Sequence, residues 1–176
     1  TSADVMAKDM LFATLDPTLR SVTLPSGRQI ILSDTVGFIS DLPTELVAAF
    51  RATLEEVLEA DLVIHVRDAA SEFFEAEGAD VEDVLTGLGF NDNALEAMIE
   101  LLNKTDLMDD DYRQMIVNEA ARRDNQIAAS AIGGQGISDL LTLIDTRLGV
   151  GERDYDVSVP PQDGKALAAL HNLGEI

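Results

Sequence analysis

Ala97-Met98-Ile99-Glu100-Leu101-Leu102-Asn103-Lys104-Thr105-Asp106 is an apolar run that ends in N-K-x-D. Ala97–Leu102 predicts a strand buried on both faces of a parallel sheet, with Glu100 the one discordant residue. Open α/β sheets bind ligands at the carboxyl ends of their strands, so the four residues that follow matter most. A carboxylate there accepts two hydrogen bonds, from N1–H and from the exocyclic amine of guanine. Adenine lacks that donor pair and would leave Asp106 unpaired. The Asn103 side chain can order the loop and touch the base edge, and the Lys104 stem can lie over the base plane. A chain of this length contains N-K-x-D by chance only about 2% of the time at average composition. The competing readings are a helix-capping Asn–Asp loop and an Asn103-x-Thr105 glycosylation sequon.

Working outward, Gln126–Ala129 predicts a short strand followed by Ser130-Ala131-Ile132 and Gly133-Gly134-Gln135-Gly136. A backbone N–H in that loop can bond the guanine keto oxygen, and the glycines permit a tight approach. Upstream, Leu62–Val66 is a continuous apolar strand. Further upstream, Ser21–Leu24, the turn Pro25-Ser26-Gly27 and Gln29–Leu32 predict a hairpin that runs into Ser33-Asp34. Asp34-Thr35-Val36-Gly37 supplies a carboxylate that can hold Mg²⁺ and a glycine N–H that can meet a terminal phosphate. Alone it decides nothing, since D-x-x-G occurs about once by chance in such a chain. Before the hairpin, Phe12-Ala13-Thr14-Leu15-Asp16-Pro17-Thr18 could place the Thr14 hydroxyl on Mg²⁺ beside a γ-phosphate; by itself it reads more readily as a turn.

Helices are predicted over Pro43–Ala60, Ser71–Leu88, Tyr112–Asp124, Ile137–Leu148 and Lys165–Leu173, with a helix tail over residues 1–9 and a linker over 150–164. Strands separated by helices imply right-handed crossovers and a mostly parallel α/β sheet with one antiparallel edge strand. The order of the loops carries the guanine reading: Thr14, D-x-x-G, N-K-x-D and Ser130-Ala131 follow one another as a GTP-binding sheet requires.

Composition narrows the classes. The 176 residues include no Cys, which removes disulfides, thiolate metal sites and a Cys nucleophile. His65 and His171 are the two histidines and lie far apart, which argues against a His-based zinc site or a Ser–His–Asp triad. Asp+Glu outnumber Lys+Arg by 33 to 12, a formal net charge of -21 that opposes autonomous binding to DNA or RNA. No apolar run reaches the ~20 residues of a membrane helix, and a cytoplasmic location is expected.

The chain resembles the HflX family of GTPases. Leu11–Arg20 is similar to that family's first switch. Asp34-Thr35-Val36-Gly37-Phe38-Ile39, continuing through Asp41-Leu42-Pro43 to Leu54, is similar to its second switch and the following helix. The resemblance implies a Ras-like P-loop GTPase sheet with helices on both faces. It also implies GTP and GDP as ligands and association with the large ribosomal subunit, with splitting or rescue of ribosomes under stress. Carried over, Thr14 and Asp34 are the Mg²⁺ ligands. Phe12, Ala13, Thr14, Leu15, Asp16, Asp34, Thr35, Val36, Gly37, Asn103, Lys104, Thr105, Asp106, Ser130, Ala131 and Ile132 form the nucleotide site, and no catalytic side chain is assigned. Phe38 stands where many Ras-like GTPases place a water-orienting Gln, which implies slow intrinsic hydrolysis.

The sequence holds no G-x-x-x-x-G-K-[ST]. By the resemblance, that loop and the strand before it lie upstream of Thr1. Residues 1–149 then read as a partial GTPase domain, 150–164 as a linker and 165–176 as the start of a truncated carboxyl-terminal region. Residues 1–176 alone are expected to bind GTP poorly, not to turn it over, and to be marginally folded. Two other readings stand beside this one: a nucleotide-free interaction module on the same fold, and an unrelated acidic α/β enzyme with chance motifs. Smaller features read as structural: His65 as a strand histidine, Asp68 as a turn cap, Asp109-Asp110-Asp111 as a solvated helix start, and the acidic residues between Glu72 and Asp83 as an exposed helix face.

Overall fold

In the computed structural model the central strand is Ile99–Asn103, here β4. The structure describes residues 18–34, 57–150, 157–160 and 164–171. The predicted helix over 43–60 falls mostly outside them; residues 57–59 are helical. In chain order the elements are β1 (Thr18–Thr23), β2 (Gln29–Asp34), β3 (Ile64–Asp68), α1 (Phe74–Leu88), α2 (Asp92–Ala97) and β4. Then come a short 3₁₀ turn (Thr105–Leu107), α3 (Asp110–Ala120), β5 (Gln126–Ala128), α4 (Ile137–Leu148) and α5 (Gly164–His171).

β3, β4 and β5 form a parallel sheet in that order, with Ile64 opposite Ile99 and Asp68 opposite Asn103. β1 and β2 pair antiparallel, from Thr18 opposite Asp34 to Thr23 opposite Gln29. Among the described residues the hairpin forms its own two-stranded sheet. This is the Ras-like α/β arrangement, with parallel strands joined through helices and one antiparallel pair.

Alternation along β4 builds a core on each face of the sheet. Leu102 joins Ala69, Met108 and Ala120, with Phe74 and Ile116 packed against them. Ile99, fully buried, joins Leu24 of the hairpin loop and Ile144 of α4, with Ile30, Leu62 and Ile64 alongside. The hairpin and β3 thus share one core beneath α4. Ser26 completes the junction: its N–H and its hydroxyl each donate to the Asp145 carboxylate of α4 at 2.7 Å.

Glu100 is half-buried, and its neighbours answer it. Arg67 Nη1 donates to Glu100 Oε2 at 3.3 Å, and Gln126 Nε2 donates to the same oxygen at 2.7 Å. Arg67 also donates to the Phe74 carbonyl at 2.8 Å and lies 3.7 Å over the Phe74 ring. The guanidinium approaches α1 at Gly78, where a Cβ would collide with it.

Several predicted boundaries move. The strand expected at Leu62–Val66 is Ile64–Asp68, because the ladder follows its β4 partners while Leu62 serves only the core. Ala97, expected to open a strand, closes α2, a helix begun by Asn91 accepting from the Ala94 N–H at 2.9 Å. The helix expected from Tyr112 starts at Asp110, because Asp109 accepts from the Tyr112 N–H at 2.9 Å and caps it; the acidic cluster is a helix start, as read. The helix predicted over Ile137–Leu148 has those bounds.

Candidate functional site

The loops after β4 and β5 are stitched together at the carboxyl edge of the parallel sheet. Thr105, 3% exposed, binds the Ala129 carbonyl twice, through its N–H at 3.1 Å and its hydroxyl at 2.9 Å. Asn103 Oδ1 accepts from the Ala131 N–H at 3.0 Å. Ser130, 1% exposed, donates its hydroxyl to Asp106 Oδ1 at 2.5 Å and accepts from the Gly133 N–H at 2.9 Å. Its backbone closes the loop on itself, N–H to the Gln135 carbonyl at 3.0 Å and carbonyl from the Gly134 N–H at 2.7 Å. Gly134 and Gly136 take φ of 78° and 75°, which is why glycines stand here.

The consequence is a preset carboxylate. Asp106 is exposed, one of its oxygens is fixed by Ser130, and Oδ2 has no partner among the described residues. The carboxylate, on a rigid support at a strand end, with Oδ2 open and a second lone pair left on Oδ1, is suited to a flat donor pair such as the guanine edge. The Ala131 N–H is committed to Asn103, so Ala131 supports the base by ordering the loop. The next N–H, of Ile132, is without a protein partner among the described residues, and Ile132 is exposed.

Thus Asn103, Lys104, Thr105, Asp106, Ser130, Ala131 and Ile132 are brought together. Asp34 ends β2 on the hairpin and is exposed. Phe12, Ala13, Thr14, Leu15, Asp16, Thr35, Val36 and Gly37 lie outside the described residues. No cluster of three His, Asp or Glu side chains gathers as a metal cage among the described residues. Mg²⁺ beside a nucleotide usually takes one or two protein oxygens, water and phosphate, and a single carboxylate at a strand end suits that donor set.

Sequence reasoning missed one member of the rim. Lys104 Nζ meets Asp68 Oδ2 at 2.6 Å, and Asp68 Oδ1 accepts from the Ala70 N–H at 3.0 Å. Asp68 does hold a turn, as expected, but it also holds the lysine. The signal was its place at the end of the strand beside β4, opposite Asn103.

Comparison with known proteins gives the following. A family model described as "50S ribosome-binding GTPase" matches residues 1–104. The GTPase HflX of Magnetococcus marinus is 43% identical over 171 residues, covering 97% of this chain and 38% of that protein. The GTPase HflX of Escherichia coli is 37% identical over 176 residues, covering 100% of this chain and 40% of that protein. A crystal structure of a point variant of SsGBP has the same fold, with a TM-score of 0.57 at 22% identity over 89% of this chain and 55% of that one. The chain spans 38% and 40% of the lengths of the two HflX relatives.

Proposed function

Since the chain belongs to the HflX family of GTPases, we propose that it is the guanine-reading part of a protein that binds and hydrolyses GTP at the large ribosomal subunit. The observation that carries the reading is the Asp106 carboxylate, held by Ser130 with its second oxygen presented at the sheet rim.

In this reading Asp106 takes the N1–H and amine of guanine, the Lys104 stem covers the base, and the Ile132 N–H meets the keto oxygen. Thr14 and Asp34 hold Mg²⁺, which would neutralise charge on the phosphates, and the Gly37 N–H meets the γ-phosphate. Phe38 cannot orient a water, so hydrolysis is slow until a partner completes the site. The partner is the ribosome, and the cellular outcome is splitting or rescue of stalled ribosomes in the cytoplasm. The net charge of -21 opposes docking on RNA by broad attraction, so contact falls to segments beyond residues 1–176. Residues 1–149 act as part of the GTPase unit, 150–164 as a linker and 165–176 as the start of a further region.

Residues 1–176 hold no G-x-x-x-x-G-K-[ST], the segment that cradles the inner phosphates in P-loop NTPases. The chain alone therefore binds nucleotide weakly. In a fluorescent-GDP titration, micromolar or tighter binding by residues 1–176 would refute that dependence. With a G-x-x-x-x-G-K-[ST] segment and its strand joined ahead of Thr1, GDP raises the melting temperature and ADP does not. Equal shifts with both nucleotides would end the guanine reading.

A further inference from the structure

Lys104 is the one non-glycine residue with positive φ among the described residues, at φ 66° and ψ 30°. A left-handed lysine is uncommon and strained, and it persists only where its surroundings hold it there, so such residues concentrate at functional sites. Here the surroundings are visible. Thr105, the next residue, is tied to the Ala129 carbonyl, and the Lys104 ammonium is tied to Asp68 at 2.6 Å across 36 residues of sequence. The ends of the lysine side chain are therefore both anchored, one by the loop and one by β3.

The ion pair is not there for stability. Lys104 and Asp68 side chains are 50% and 34% exposed, and pairs so solvated contribute little. Its geometry is nevertheless specific. Asp68 ends β3 in register with Asn103, and its Oδ1 is held by the Ala70 N–H, so Oδ2 has a fixed position. A fixed acceptor at the tip restrains a flexible four-carbon stem, which removes rotamer freedom that a stacked base would otherwise have to remove.

Resting on the guanine reading above, we infer that Asp68 is a positioning residue of the nucleotide site. It acts through Lys104, holding the lysine stem as a preformed wall against one face of the base while Asp106 reads the edge. Asp68 touches no nucleotide atom in this arrangement.

The test uses residues 1–176, ¹⁵N-labelled, titrated with GMP and with AMP and followed by amide shifts. In the parent chain, GMP shifts the signals of Asp106 and Ala131 and AMP leaves them in place. Asp68→Asn keeps an oxygen for the Ala70 N–H and loses the charge that holds the ammonium. It raises the GMP dissociation constant about fivefold, the scale of coupling between contacting side chains. In a Lys104→Ala background Asp68→Asn has no further effect, and Asp68→Glu restores most of the affinity. Amide shifts register even weak contacts with dissociation constants of roughly 1 mM, so if the parent chain shows no GMP-selective shifts at the highest soluble GMP concentration, the guanine reading itself fails and takes this inference with it. If the parent binds GMP and Asp68→Asn binds equally well, or if the Asn substitution costs the same with Lys104 absent, the positioning role alone is overturned. Loss of dispersed core signals such as those of Ile99 and Ile144 in both the Asn and Glu variants would make Asp68 a structural residue and overturns it as well.

Discussion

Asp106 and Ser130 divide one task. Ser130 is buried and its hydroxyl is engaged on both sides, donating to Asp106 and accepting from the Gly133 N–H. Asp106→Asn leaves an oxygen for Ser130 and turns an amide N–H₂ outward where Oδ2 was. That group donates where guanine also donates, and it meets an acceptor in xanthine, whose C2 carries a keto oxygen. In a chain that binds nucleotide tightly, this substitution loses GDP affinity by about two orders of magnitude and gains xanthosine diphosphate, read by competition titration. A variant that keeps its preference for GDP would mean that Asp106 does not face the base. His65 belongs to a different ledger of residues, those that matter by staying uncharged. Burial, and then the nearby Arg67 charge, lower its pKa below the ordinary 6.5, with Glu100 opposing. The unfolded chain therefore takes up the proton first, and stability falls as pH drops below about 6.5 toward the lowered folded value. His65→Gln flattens that part of the pH–stability curve in urea titrations at pH 5.5 and 7.5. An unchanged slope would mean that His65 does not titrate differently on folding.

At the scale of elements, periodicity and short-range chemistry were readable in the sequence, and register was not. The apolar stripe of α4 gave bounds that the structure shares, and the Asp109 cap lies within three residues of its partner. The N-K-x-D and Ser130-Ala131 loops were equally local, and the structure joins them. The answer to Glu100 was not readable, since Arg67 and Gln126 reach it only once three strands align. The Asp68–Lys104 pair was hidden for the same reason. The latch of the hairpin on α4 is another such long-range contact, spanning 119 residues. Asp145 has its pKa lowered, chiefly by the Ser26 hydroxyl bond. Its contribution is present above the usual carboxylate pKa and is lost as pH falls through the lowered folded value. Asp145→Ala is expected to speed hydrogen exchange at Leu24 and Gly27, whose N–H groups bond across the hairpin turn, while protection of Ile99 in β4 is unchanged. Equal loss of protection at both places would show that hairpin and sheet open as one unit.

For the molecule as a whole, two tendencies oppose each other. Among the described residues, β2 and β3 each have one strand neighbour, although both contribute to the core beneath α4. Ile31 on β2 and Val66 on β3 are more than half exposed, so apolar side chains accompany those edges. Strand edges of this kind pair with other chains. The net charge of -21 acts against that encounter, because like-charged molecules repel over the Debye length. Salt separates the two effects: screening shrinks that length from about 10 Å at 0.1 M to about 3 Å at 1 M and leaves backbone pairing intact. Residues 1–176 are therefore expected to scatter light as a monomer at low ionic strength and to associate as salt is raised. Joining a further parallel strand ahead of Thr1 should suppress the association, because that strand would take up the same edges. A chain that stays monomeric in 1 M salt would show that the edges are already covered by the chain itself. In that case the added strand would have no place in the sheet, and tight GTP binding would have to come from some other arrangement of the phosphate loop.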